Sequence, residues 1–326
     1  MNMSTGMSSG MSAGEAAQIA ARIAANVEKV VHGKAKAIRL AIAALFAEGH
    51  LLIEDVPGVG KTTLARCLAR SIGGKWSRIQ FTPDLLPGDI TGVMVYHQRE
   101  EQFAFHAGAV FANVVVADEI NRGTPKTQSA MLEVMAERRV TVENFSYEVP
   151  RPFMVIATQN PIEMEGTYRL PEAQVDRFLM RLSVGYPDLD AEVRAVLADC
   201  AGATADDLQP VVDPAALREA VAAVRRSRVD PAVARYAARL AAATREHAVV
   251  RVGASVRGSI ALVRTAQAFA AIDGRGYVTP DDIKDVAGPV LEHRLLLTPE
   301  AELDRRDPAE IVAGVLESTP TPLVNA

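Results

Sequence analysis

The feature that most constrains this chain is the nonapeptide Asp55-Val56-Pro57-Gly58-Val59-Gly60-Lys61-Thr62-Thr63. An apolar run, Leu51–Ile53, precedes it and reads as a strand, while Leu64–Ile72 follows and reads as a helix. A glycine-rich turn in that context lets backbone N–H groups converge on phosphate oxygens, and the helix start adds partial positive charge. Pro57, Gly58, Val59, Gly60, Lys61, Thr62 and Thr63 then form a phosphate-binding loop. Lys61 reaches the β- and γ-phosphates and the Thr62 hydroxyl ligates Mg²⁺. One departure stands out: Asp55 occupies the place of the motif's first glycine. A plain glycine turn beside an exposed lysine is the competing reading, and the strand and helix on either side weigh against it.

A strand followed by a phosphate loop implies an α/β fold in which ligands bind outside the carboxyl ends of parallel strands. Asp118-Glu119 closes the apolar run Val114–Ala117, 57 residues after Lys61, which puts both carboxylates at such an end. Asp118 suits a grip on Mg²⁺, direct or through the hydroxyl or water that ligates it. Glu119 suits orienting or deprotonating an attacking water.

The rest of the chain divides into two compositional zones. His50–Glu54, Phe111–Ala117 and Phe153–Thr158 read as buried parallel strands with helices between them. Gly92–His106 and Val140–Val149 alternate apolar and polar residues around polar turns and read as hairpins. Two helices precede this zone, one from Glu15 to near Gly33 and one over about 36–47. After Pro187 the spacing is helical and strand signals fade: Asp190–Cys200, Pro214–Arg225, Pro231–His247, Ser255–Ala271, Pro280–Glu292 and Pro308–Glu317. The expectation is a P-loop α/β core at 15–187, with a parallel sheet flanked by helices, followed by a small all-helical lid domain at 188–320. Met1–Gly14 has no charged side chain and is read as a disordered tail.

Composition removes several classes. The 326 residues carry 35 Lys+Arg against 40 Asp+Glu, a net charge of −5, which disfavours a dedicated duplex-DNA binder. Two cysteines allow no disulfide framework, and Cys67, spaced with Leu64 and Leu68, is expected to be buried. No apolar run approaches the ~20 residues of a membrane span, and the N-terminus is not built like a secretion signal, so the expected location is the cytoplasm.

Taken together, the motifs resemble the AAA+ ATPases, and within them the MoxR family. The match covers Leu51–Thr62, Phe81–Gly92, Phe105–Gln128, Val155–Arg177 and Gly253–Arg257. Its most specific parts are Asp118-Glu119-Ile120-Asn121-Arg122, Ala157-Thr158-Gln159-Asn160-Pro161, Glu165-Gly166-Thr167-Tyr168 and Leu170-Pro171-Glu172-Ala173-Gln174-Val175-Asp176-Arg177-Phe178. The resemblance implies ATP as the nucleotide, with Mg²⁺, and gives Asn160 the part of sensor 1. It makes Arg177 the arginine finger, reaching the γ-phosphate on a neighbouring subunit, with Arg181 close enough in sequence to be confused with it. Arg257 becomes sensor 2, touching the same nucleotide from the lid and coupling lid angle to phosphate state, although Val256 stands where relatives often carry proline. The hairpins correspond to the helix-2 insert and the pre-sensor-1 hairpin, as pore contacts or as mere sheet extensions. Arg122 and Lys126 line a subunit interface or are simply exposed cations. Val31-His32-Gly33 lies near the adenine or merely ends a helix.

The resemblance also implies a homo-oligomer, a hexameric ring, that remodels or matures client protein complexes with a von Willebrand factor A-domain partner. Lys61, Thr62, Asp118, Glu119 and Asn160 would act within one chain. Three other readings share these core motifs: a chelatase-type motor for metal insertion, a nucleic-acid motor, and a nucleotide-gated scaffold with little turnover. The net charge argues against the second and Glu119 against the third.

Overall fold

A computed structural model describes residues 10–160, 167–202 and 204–323. The chain opens with helices α1 (Ala13–Val27) and α2 (Ala35–Phe46), followed by β1 (Leu51–Glu54), α3 (Lys61–Ser71) and β2 (Trp76–Gln80). Next come α4 (Pro87–Thr91), β3 (Gly92–His97), β4 (Gln102–Ala107), β5 (Val114–Asp118), α5 (Pro125–Glu137), β6 (Arg139–Val142), β7 (Phe145–Glu148) and β8 (Met154–Gln159). The short α6 (Glu172–Val175) leads to β9 (Met180–Leu182). Beyond it lie α7 (Leu189–Cys200), α8 (Pro214–Arg225), α9 (Pro231–Glu246), β10 (Val250–Val252), α10 (Val256–Ile272), α11 (Pro280–Leu291), β11 (Leu296–Leu297), α12 (Pro299–Leu303) and α13 (Pro308–Ser318).

Five strands form one parallel sheet in the order β2-β5-β8-β1-β9. Alternation along the central strands divides the core into two layers. Leu51, Ile53, Val114, Val116, Met154 and Ile156 face the helices α1–α3 and the C-terminal helices. Leu52, Val115, Ala117, Val155 and Ala157 face the other way, onto α5 with Phe81, Phe153 and Phe178. The three central strands are thus buried on both faces, which is why they read as unbroken apolar runs.

Several boundaries differ from the sequence reading. The run expected as a strand from Phe111 pairs only from Val114, because the Asn113 side chain turns the chain, accepting from the Lys75 N–H and donating to the Pro152 carbonyl. The outer strands β2 and β9 were not expected. Each has a neighbour on one side only, so Arg78, Gln80 and Arg181 interrupt their apolar residues. β10 and β11 add a small antiparallel pair in a region expected to be wholly helical.

The expected tail is also shorter than Met1–Gly14. Residues 1–9 lie outside the described residues, but α1 starts at Ala13 with Ser12 as its cap. The Glu15 N–H donates to Ser12 Oγ, and the Glu15 carboxylate accepts from the Ser12 N–H at 2.7 Å, a reciprocal box that satisfies two backbone donors at the helix start. The helix ends at Val27, short of the Gly33 expected. α1 packs on α3 and also on α8 and α10, so the N-terminal helices and the lid share one apolar cluster.

The two hairpins form sheets of their own, β3-β4 and β6-β7, and do not extend the central sheet. They lean on each other through Phe105 and Tyr147, whose rings stack with centroids 3.9 Å apart. No helix among the described residues is long and apolar enough to cross a membrane.

Candidate active site

The loop after β1 turns through Gly58 and Gly60, with φ of 84° and 86°, a left-handed conformation that costs an ordinary residue about 1 kcal/mol or more. Pro57, Gly58, Gly60, Lys61, Thr62 and Thr63 line a cleft of about 400 Å³ with Arg78, Gln80, Asp118, Glu119, Thr158, Gln159 and Asn160. Val59 points the other way, buried in the core, and anchors the loop. Lys61 Nζ lies across the loop, donating to the carbonyls of Asp55 (2.5 Å) and Val56 (2.8 Å) and to Asn160 Oδ1 (3.2 Å). Burial pulls the Lys61 ammonium below its ordinary pKa, against the opposing pull of Asp55, Asp118 and Glu119.

Asp55 stands where a glycine is usual, and its carboxylate has a structural task. It accepts from its neighbour's N–H on Val56 (2.8 Å), from Ser183 Oγ (2.6 Å) and from the Gly185 N–H (2.6 Å). Burial opposes its charge, but these donors outweigh burial and hold the carboxyl below the usual range. The phosphate loop is thereby tied to the segment between β9 and α7.

Asp118 is the hub of the cleft. It is buried, and its Oδ1 accepts from Thr62 Oγ1 (2.8 Å) and Thr158 Oγ1 (2.7 Å), while its Oδ2 accepts from Arg78 Nε (3.0 Å) and Nη2 (2.8 Å). A Thr62 hydroxyl that gives its proton to Asp118 keeps its lone pairs for a cation. That donor set fits Mg²⁺ held by Thr62 and backed by Asp118. Glu119 adopts a left-handed backbone (φ 53°), and its N–H donates to Thr158 Oγ1 at 3.0 Å. Its carboxylate receives Arg122 Nη1 (2.9 Å) and Gln80 Nε2 (3.2 Å). Arg122, read from sequence as an interface or free surface cation, is therefore Glu119's ion-pair partner, whereas Lys126 is exposed.

Arg177 and Arg257 are not in this cleft. They line another, of about 270 Å³, with Arg138, Arg264, Arg294, Glu48, Asp176 and Ile260 among its walls. Glu48 precedes β1, and Asp176 and Arg177 precede β9, so this second cleft lies at the amino ends of strands whose carboxyl ends carry the phosphate loop. The four residues of β1 alone separate the two ends by about 13 Å. Arg177 Nη1 donates to the Leu132 carbonyl at 2.5 Å, and Arg257 lies 3.8 Å from Asp176. Buried Arg294 also grips Asp176, Nε to Oδ1 at 2.8 Å. Arg257, expected at a nucleotide, thus lies away from its own chain's phosphate-loop cleft. Its helix α10 starts beside Asp176, at the amino end of the sheet. Arg181 sits mid-strand in β9, paired with Glu54 at 3.0 Å, and does not line the arginine cleft.

Residues 50–180 match the family described as ATPase family associated with various cellular activities (AAA), and residues 242–315 match the AAA lid domain. The chain is 40% identical over 309 residues to the protein named chaperone MoxR1 of Mycobacterium tuberculosis, covering 92% of this chain and 81% of that one. It is 44% identical over 298 residues to the uncharacterized protein YeaC of Bacillus subtilis, covering 91% and 93%. The chain belongs to the MoxR family of AAA+ ATPases. A crystal structure of a candidate ATPase from Cytophaga hutchinsonii matches with a TM-score of 0.87 at 36% identity, over 95% of this chain and 97% of that one.

Within this MoxR-family ATPase, three cleft residues escaped the sequence reading. Arg78 and Gln80 sit on the unexpected strand β2, and only their two-residue spacing hinted that they share a face. Thr158 was read as the end of a strand, although its hydroxyl joins Asp118 to the Glu119 backbone. Parts of the family motifs, Pro161, Glu165 and Gly166, lie outside the described residues. Gly33 lines a pocket with Ser183 and Val184, the segment that holds Asp55, and Val31 is buried beneath it; His32 is not among the lining residues.

Proposed function

We propose that this chain binds ATP at the phosphate-loop cleft and hydrolyses it only when a second chain presents Arg177 and Arg257 to that cleft. The observation carrying the proposal is the split just described. Phosphate loop and carboxylates sit at one end of a parallel sheet, and the two arginines sit at the other. No rotamer carries Arg177 past the intervening strand, so the arginines serve a neighbour, as an arginine finger supplied in trans does.

Within one chain, Pro57–Thr63 offers backbone N–H groups to the phosphates, and Lys61 exchanges its carbonyl partners for phosphate oxygens. Thr62 and Asp118 would hold Mg²⁺, which would supply charge neutralisation for the phosphates. Asn160, whose Oδ1 accepts from Lys61, turns its Nδ2 donor to the γ-phosphate or its Oδ1 acceptor to the attacking water. Glu119 leaves Arg122 and Gln80 to take the water's proton as its oxygen attacks the γ-phosphorus, releasing ADP and phosphate. Arg177 and Arg257 of the next chain balance the charge that develops.

Because each site needs two chains, the working form is a closed ring, by family resemblance a hexamer. Its cycle drives chaperone-like remodelling of client complexes, alongside a von Willebrand factor A-domain partner. The N-terminal zone at 15–187 acts as the core and 188–320 as the lid. The test is ATP turnover against protein concentration, together with mixing of two inactive chains, Arg177→Ala and Glu119→Gln. Turnover rising with concentration and returning on mixing supports the reading. Full turnover by a single chain overturns it.

A further inference from the structure

The helix α7 carries an apolar face that none of the described residues covers. Leu189, Val193, Val196 and Leu197 are exposed by 76%, 49%, 57% and 63%, and their spacing sets them on one side of the helix. Ala191, seated against Gly33, is the buried residue of α7. A solvent-facing helix normally turns polar residues outward, so a continuous apolar stripe marks a contact surface. Its location identifies the contact. α7 begins just after Ser183–Gly185, the segment bonded to Asp55 of the phosphate loop, and so is rooted at the carboxyl end of the sheet.

The arginine end carries a matching patch. Val252, Val256 and Ile260 are exposed by 50%, 69% and 53%. Val256 and Ile260 lie one turn apart at the start of α10, flanking Arg257, and Ile260 lines the arginine cleft. The charges around the two patches are opposite in sign. Asp190, Glu192 and Asp199 are exposed on α7 against Arg194 alone, whereas Arg245, Arg251 and Arg257 are exposed around the α10 patch against exposed Glu246 and the more buried Asp176 beside Arg257.

We propose that the α7 stripe is the docking surface for a second copy of this chain, which covers it with Val252, Val256 and Ile260 of its lid. The contact is head-to-tail: one patch sits beside each half of the split site, so repeating it closes a ring with every phosphate loop facing a neighbour's Arg177 and Arg257. A symmetric α7-to-α7 contact would oppose like charges and leave the arginines at the wrong end. The inference rests on the reading that these arginines act in trans.

Sedimentation of the full chain with Mg²⁺ and a non-hydrolysable ATP analogue tests it. Leu197→Glu, an exposed change, should bind the analogue with unchanged Kd yet stay a single chain where the unaltered protein assembles. Adding Ile260→Lys should restore assembly. Cys200, exposed at the end of the stripe, offers a second readout, because Cys67 is buried. In Val256→Cys, a short bismaleimide should join chains into a ladder, and the added change Cys200→Ser should abolish it. Normal assembly of Leu197→Glu, or no ladder in assembled protein, overturns the proposal. If Leu197→Glu assembles while the Arg177→Ala and Glu119→Gln mixture regains turnover, docking falls and the trans reading stands. If Leu197→Glu blocks assembly and that mixture stays inactive, the trans reading falls and docking stands.

Discussion

The two clefts of this molecule are built on opposite electrostatic plans. At the phosphate-loop end two cations, Lys61 and Arg78, meet two carboxylates, Asp118 and Glu119, and the polar groups satisfy one another within the chain. At the arginine end five arginines face Glu48 and Asp176 alone. Part of that excess is spent inside: Glu48 takes both Arg225 and Arg138, and Arg294 is locked on Asp176 and on the carbonyls of Phe178 and Leu179. Arg177 and Arg257 remain at the cleft wall. A balanced pocket becomes strongly negative once a triphosphate enters it, whereas the other pocket holds more arginines than its two carboxylates offset. The difference is the one the proposed trans arrangement needs, in which each end supplies what the other lacks.

The comparison breaks most visibly at Arg177. Arg177→Ala is expected to cut turnover by ~10³-fold or more while leaving ATP affinity at the chain's own loop unchanged, read by steady-state kinetics beside equilibrium nucleotide binding. A drop in affinity equal to the drop in rate would place Arg177 at its own nucleotide. Glu119→Gln, at the balanced end, should lose about 10²–10⁴ in turnover and keep ATP bound, which single-turnover assays resolve.

Changes at the arginine end that do not touch phosphate should act on stability instead. Arg294→Met strands a partly buried Asp176, and about 3–5 kcal/mol of unfolding free energy should be lost in denaturant titrations. His50 adds a pH signature at the same end. Its Nδ1 accepts from the Val155 N–H, so Nε2 carries the proton given to the Met135 carbonyl, and burial pushes the imidazole down to about 4. The folded chain refuses a proton that the unfolded chain accepts near pH 6.5. This contribution, about 3 kcal/mol, is complete above pH 6.5, declines as pH falls and is gone below about 4. Buried His293, also pushed well down by burial and by Arg294 and Arg181, acts in the same direction. Melting temperatures from pH 7 to 4.5 should fall accordingly, and less steeply in His50→Asn. The smallest expected effect is chemical. In single chains a thiol reagent should find Cys200 and spare Cys67, whose thiol burial raises to about 12.

Much of the phosphate-loop end was legible in the sequence because its residues are near neighbours along the chain. Pro57–Thr63 forms one turn, and Asp118-Glu119 ends a run of buried valines. The sheet's outer strands were not legible, since one-sided burial leaves Arg78, Gln80 and Arg181 among their apolar residues and dilutes the alternation. The position of Arg257 was likewise hidden. Its helix start could be read from Ser255, which does cap α10, but which end of the sheet receives it depends on α10 packing against α1 and α2, more than 200 residues earlier in the chain. The Ser12 and Glu15 capping pair shows the reverse case, a purely local signal whose spacing marks the true start of α1.

Asp55 has a consequence that its three hydrogen bonds do not reveal at first sight. A glycine there would leave the phosphate loop free to breathe independently of the connector to the lid. With the carboxylate in place, loop and connector form a single stiff linkage, and the root of α7 is its far arm. A shift of the loop as phosphate leaves would therefore be delivered as leverage onto whatever α7 touches, which under the proposed docking is a neighbouring chain.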